Sequence, residues 1–200
     1  MITRTKDRVG NKLVPKPDKG HMRTAHEIKY AVASYFRYER QAALVSTERP
    51  IYGVTAGVPD VLVCMPNRKL VEIEVKVSMS DFRADAKKYK WKYMKSEWAK
   101  NKGPSQFYYA VPTKLVEKVK AELPEGAGLI SCRWDGRCVG GTAVVVERKA
   151  PVLHKTRLDL KSIVRMAKNQ TGTLCSMMRL EAKRRHEGID DEPCLDGSHI

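Results

Sequence analysis

The sequence predicts an α/β fold: a central mixed β-sheet flanked by helices, with a C-terminal helical extension. Three observations predict it. Segments with apolar residues at helical spacing alternate with short β-rich runs. Two strand pairs are joined by turn signals, Pro66-Asn67-Arg68 and Asp135-Gly136. The chain has 200 residues, 42% of them hydrophobic, which supplies about one core.

The elements follow in order. Residues 1–22 mix Lys, Arg, Gly, Asp and Pro and read as a basic flexible arm. Thr24-Ala25-His26-Glu27 has the spacing of a capping box, and Ile28, Ala31, Val32, Tyr35 and Phe36 continue as a helix to about residue 40. Residues 43–46 form a short strand. A hairpin then runs through 58–65 and 69–77. A three-residue loop, 66–68, pairs Met65 with Lys69 and sets Asp60 opposite Glu74. In the second run Val71, Ile73, Val75 and Val77 share one face, while Glu72, Glu74 and Lys76 share the other.

Ser80-Asp81 can cap a second helix reaching about Lys100, and residues 106–111 read as a buried strand. Thr113 can cap a third helix over 114–123, closed by Pro124. Residues 129–134 and 137–147 form a hairpin around a tight Asp135-Gly136 turn. The last helical segment spans about 158–185, with a break at Gly172 as one option. The implied organisation is an arm (1–22), a core domain (23–152), a helical extension (153–187) and an acidic tail (188–200).

Charge points to the partner class. The chain carries 38 Lys+Arg against 23 Asp+Glu, a formal net charge of +15, which makes a polyanion such as DNA the first partner to consider. No 18-residue apolar run is present, which excludes a membrane-spanning helix. With no secretory signal in the sequence, the expected location is cytoplasmic. The five cysteines lack Cys-x-x-Cys spacing, and Cys132 and Cys138 have no histidine nearby to complete a zinc site, so the cysteines are expected to be reduced and structural. The lone His26 and His154 read as surface or capping groups.

Asp60, Glu74 and Lys76 carry the chemistry. Hydrolysing a phosphodiester needs an activated water and relief of negative charge on the phosphate. Hard carboxylate oxygens on adjacent strands can hold Mg²⁺ and leave positions open for phosphate and water. A lysine two residues beyond one ligand emerges on the same face, where it can orient the water or stabilise the transition state. The plainer alternative is the solvated face of an amphipathic strand. Pro59-Asp60 before the motif and a basic aromatic helix after it weigh against that alternative.

Pro59-Asp60 followed by Glu74-Val75-Lys76 resembles the PD-(D/E)xK nuclease superfamily, over about residues 24–150. The resemblance implies a restriction-endonuclease-like core. Ser80-Asp81-Phe82-Arg83 and Phe107-Tyr108-Tyr109-Ala110-Val111-Pro112 are similar to the MmcB-type DNA-repair branch and related phage nucleases. By that resemblance Asp60 and Glu74 would bind Mg²⁺ (or Mn²⁺) with the Val75 carbonyl, and Lys76 would be catalytic. Glu27 would be a further acidic residue of the site, although its capping-box position offers an equal explanation. Glu72 shares the face of Glu74 as an alternative ligand.

Lys87, Lys88, Lys90 and Lys92 could track phosphates, with Trp91 stacking on unpaired bases. Lys95 and Tyr93 extend the same pattern. Part of this aromatic set is expected in the core. Of Tyr108 and Tyr109, at most one can face the site. The expected function is metal-dependent hydrolysis of DNA, directed by structure rather than base sequence, in bacterial or phage DNA processing or repair. A non-catalytic nucleic-acid-binding protein on the same fold is the alternative, and a basic surface for an acidic protein partner is a third. The oligomeric state is open: dimers are common among nucleases that cut both strands, but no segment of this sequence declares an interface.

Overall fold

The computed structural model describes residues 22, 24–86, 103–138 and 141–187. Six strands form one mixed sheet in chain order: β1 (Leu44–Thr47), β2 (Val61–Cys64), β3 (Leu70–Val75), β4 (Gln106–Pro112), β5 (Ala127–Trp134) and β6 (Thr142–Arg148). The β1–β2, β2–β3 and β5–β6 pairs are antiparallel, and β3–β4 and β4–β5 are parallel. A parallel step needs a crossover. Helix α2 (Met79–Ala86) lies in the first crossover and α3 (Val116–Glu122) in the second. Helix α1 (Ala25–Ser34) precedes the sheet, and α4 (Leu160–His186) follows it.

The two sheet faces bury separate layers. Ile28, Ala31 and Val32 of α1 pack against Val61, Val63, Val71, Ile73, Val75, Tyr108, Ala110, Ile130 and Cys132. On the other face, Phe82 of α2 and Val116 and Val119 of α3 meet Phe107, Tyr109, Val111 and Leu129. Beside them Leu158 and Met166 cover Leu62, Cys64 and Leu70, together with Ile51 and Val54. Each large apolar side chain so buried contributes about 1.5–3 kcal/mol. Close approach fixes one position in particular. A Cβ on Gly128 would lie 2.4 Å from the ring of its ladder partner Tyr108 and 2.7 Å from the Ala150 backbone nitrogen, so only glycine leaves room for both.

The Thr24 capping box forms in full: Glu27 N donates to Thr24 Oγ1 at 3.2 Å, and Thr24 N donates to Glu27 Oε2 at 2.8 Å. The hairpin register also agrees with the three-residue loop, since Val61 faces Ile73 and Cys64 faces Leu70. Several other expectations need correction. Met22, expected in the arm, is fully buried with the α1 layer. The first helix ends in a π-helical turn over Tyr35–Glu39. It is Ser78 that caps α2, accepting from Asp81 N at 3.2 Å, rather than Ser80 or Asp81.

Thr113 caps nothing. It begins a short 3₁₀ turn, and its hydroxyl donates to Cys132 O at 3.3 Å, a strand contact that sequence spacing does not reveal. The β5–β6 connection is wider than an Asp-Gly turn. Asp135 N donates to Gly141 O at 2.9 Å, so the second strand starts at Thr142 rather than Arg137. Helix α4 runs unbroken through Gly172. This C-terminal helix is tied to the sheet, since Met166 is wholly buried against it and Gln170 Nε2 donates to the Val45 carbonyl of edge strand β1. Cys64, Cys132, Cys138 and Cys175 are free thiols. Among the described residues no helix is long and apolar enough to cross a membrane.

Candidate active site

The site begins where β2 parts from β3. The last β2–β3 pair is Val61 with Ile73. Before Val61 the chain turns toward the β1 side, where Glu48 N donates to Pro59 O at 3.1 Å and to Asp60 O at 3.2 Å. The side chain of Asp60 fills the fork so opened. Its Oδ2 accepts the Val75 backbone N–H at 2.8 Å. Asp60 is therefore pinned against the peptide that follows Glu74, with Oδ1 as the oxygen suited to coordination.

Strand alternation puts Glu74 on the face away from α1, and Lys76 follows on the same side. Backbone N–H of Lys76 donates to Ala110 O at 2.9 Å, extending the alignment just past β3. The ammonium group is buried, with a side chain only 5% exposed. Its Nζ lies 3.3 Å from Glu74 Oε2 and 3.3 Å from Asp85 Oδ1, with Asp81 Oδ1 at 4.0 Å. Taking such an ion from water costs several kcal/mol, which close carboxylates must offset.

Asp85 is held in its turn. It is almost completely buried, and Tyr109 donates its hydroxyl to Asp85 Oδ2 at 2.8 Å. Tyr109 pairs with Glu74 across the parallel ladder, and its ring meets Phe82 edge-on at 4.9 Å and Phe107 at 5.0 Å. Tyr109 is thus the member of the Tyr108–Tyr109 pair that faces the site, while Tyr108 packs in the α1 layer. A chain of contacts runs from an aromatic core through Asp85 to the lysine.

The structure brings Asp60, Val75, Glu74 and Lys76 together. Their face is not the solvated strand face that alternation alone suggests, since Glu72, Glu74 and Lys76 are all buried under α2 and its neighbours. Glu72 lies deeper, opposite Leu62 rather than Asp60. Glu27 makes the capping box, on a helix that packs against the opposite sheet face. Lys87, Lys88, Lys90, Trp91 and Lys92 lie outside the described residues, as do Tyr93 and Lys95. Sequence reasoning missed Asp85 and left open which of Tyr108 and Tyr109 faces the site. Asp81 and Asp85 are spaced i,i+4 on α2, which places two carboxylates on one helix side, and that spacing was the available signal.

Two carboxylates and a peptide carbonyl form a hard oxygen set, which fits an ion such as Mg²⁺ that keeps several waters. No group of three or more His, Cys, Asp or Glu side chains is assembled as a metal cluster among the described residues. Asp60 and Glu74 supply donor oxygens of the kind such an ion takes.

No protein-family model and no curated protein matches the chain. Among solved structures, a protein of unknown function from Silicibacter pomeroyi is similar in fold, with TM-score 0.50 and 21% identity, covering 84% of this chain and 94% of that one.

Proposed function

We propose that the protein is a metal-dependent nuclease that hydrolyses DNA phosphodiester bonds. Its action would be structure- rather than sequence-directed, in bacterial or phage DNA processing or repair. One observation carries the reading: Asp60 is docked on the Val75 peptide beside Glu74, with Lys76 held on the same side. A bound Mg²⁺ or Mn²⁺ would neutralise charge on the phosphate and lower the pKa of water. Asp60 Oδ1, the Glu74 carboxylate and the Val75 carbonyl are the atoms that would hold it.

An ammonium group has three donors. In Lys76 two face Glu74 and Asp85, with the half-exposed Asp81 at 4.0 Å, and in this scheme the third would be offered to a water or a phosphate oxygen. Asp85, steadied by Tyr109, positions the lysine and does not touch substrate in this scheme. A fixed donor of this kind acts without reorganisation as charge develops on the phosphate. Scission would join a water oxygen to phosphorus as the phosphorus–sugar oxygen bond breaks, with the water's proton passing to solvent and the released sugar oxygen taking one up from solvent to become a hydroxyl.

Burial of Lys76 between two carboxylates favours a second reading, a non-catalytic nucleic-acid-binding protein in which this trio is structural. Labelled single-stranded, duplex, flap and four-way DNA, each with Mg²⁺, Mn²⁺ or EDTA, separates the two. Cleavage that needs the metal and disappears in Lys76→Ala supports the enzyme. Binding without cleavage of any substrate removes it.

A further inference from the structure

We propose that the loop between β1 and β2, together with the outer face of α4, binds a single strand of DNA, with Tyr52 as a base-stacking platform. The inference deepens the nuclease reading and rests on it for the choice of DNA as the polyanion. Its origin is a contrast within five residues. Ile51 and Val54 are buried, with 1% and 4% exposure, whereas Tyr52 between them is 90% exposed.

The loop that presents this ring is braced. Val54 N and Thr55 N both donate to Ile51 O, at 2.9 and 3.0 Å. The Thr55 hydroxyl accepts from Ile51 N at 3.2 Å and donates to Gly57 O at 2.9 Å. Gly53 takes φ +77°, a left-handed conformation that lets the chain turn directly after Tyr52. From α4, Arg165 Nη1 donates to Tyr52 O at 3.1 Å and Asn169 Nδ2 to Pro50 O at 3.4 Å. A ring on a backbone already ordered loses little entropy when it stacks.

Beside it, α4 bears a groove of about 370 Å³ lined by Leu160, Lys161, Val164, Arg165 and Lys168. Arg165 joins the groove to the Tyr52 loop. Two exposed apolar side chains set among three cations suit a ligand that alternates flat bases with phosphates. Asp159, the exposed acid at this end of the helix, is engaged as the N-cap and accepts from Ser162 N and Oγ at 2.8 and 3.1 Å. The loop ends on Asp60, and Ile51 and Val54 pack on the sheet face that carries Glu74.

The test is equilibrium binding of labelled oligothymidylate to the full chain in EDTA, so that cleavage does not intervene. A blunt duplex of the same length serves as the comparison. Tyr52→Ala is expected to weaken single-strand binding by about 5- to 150-fold, the span of measured stacking contributions, and to leave duplex binding nearly unchanged. Tyr52→Phe should bind as the wild type does. Combined Lys161→Ala and Lys168→Ala should make the salt slope shallower by about 1.4, at roughly 0.7 per single-strand phosphate. Unchanged affinity in Tyr52→Ala, or an equal loss on both DNAs, overturns the proposal even if the wild type cleaves DNA. Tyr52-dependent binding in a protein that cleaves nothing leaves this surface standing and defeats only the nuclease reading.

Discussion

The two faces of β3 solve different problems with neighbouring residues. Val71, Ile73 and Val75 point into a layer in which burial alone supplies the stability. Glu72 and Glu74 point the other way and are as deeply buried, in a layer that also holds Lys76 and Asp85. The first face would tolerate loss by degrees, since each methylene removed costs a little. The second is a charge arrangement in which any one deletion strands the others. A sheet built for stability alone has no need of such a buried charge arrangement, and this is the side on which the proposed chemistry would take place.

The contrast can be broken most severely at Lys76. Lys76→Ala leaves Glu74 and Asp85 without their shared ammonium, and urea unfolding should show a loss of about 3–5 kcal/mol. A loss below about 1 kcal/mol would show that solvent already compensates these carboxylates. On the apolar face, Ile73→Ala should cost about 2–5 kcal/mol through a cavity, while DNA binding per folded molecule is unaltered. Altered DNA binding there would mean that the two faces are coupled.

Tyr109→Phe removes only the hydroxyl that braces Asp85, with an expected cost of about 1.5–3 kcal/mol for a hydrogen bond to a charged group. If Asp85 positions Lys76, turnover falls while KM holds. A change in KM alone would place Tyr109 in substrate binding. Smaller still is the cap: Thr24→Ala should cost about 1 kcal/mol. Glu27→Gln keeps the cap acceptor, so its cleavage rate should match the wild type, and a sharp drop would put Glu27 into the active site.

Much of the polar face could be foreseen. A loop of fixed length sets hairpin register, and register carries Asp60 to the end of the ladder beside Glu74, although the pairing stops at Val61–Ile73 and the Asp60 side chain reaches the Val75 peptide instead. The period of two separates Val75 from Glu74 and Lys76 just as directly. What alternation cannot tell is whether a polar strand face meets water or a second layer, and here α2 and the β1–β2 loop close over it. Asp85 was hidden for the same reason, because its meeting with Lys76 depends on how a helix folds back across the sheet. Local hydroxyl roles were equally obscure. Ser78 and Ser80 are both plausible caps by composition, and Thr113 lost its expected role to a carbonyl on β5.

The cysteines extend the comparison to chemistry. Cys132, in the apolar α1 layer, has its thiol pushed up to about 12 by burial, so it stays protonated and inert at neutral pH. Iodoacetamide should modify exposed Cys175 first and leave Cys132 intact until the protein unfolds. Early labelling of Cys132 would show that this layer opens locally in the native state.

The contact between Gln170 and the Val45 carbonyl has a consequence for life at high concentration. A sheet that ends in an exposed strand offers a template on which a second chain can grow, the first step toward aggregation. Helix α4 lays a side-chain amide on that template, so an incoming strand must first displace it. The helix thereby acts as a guard against runaway self-pairing. That protection is present only after the chain has been synthesised past residue 170, so the nascent sheet passes through an interval in which its first edge is unguarded.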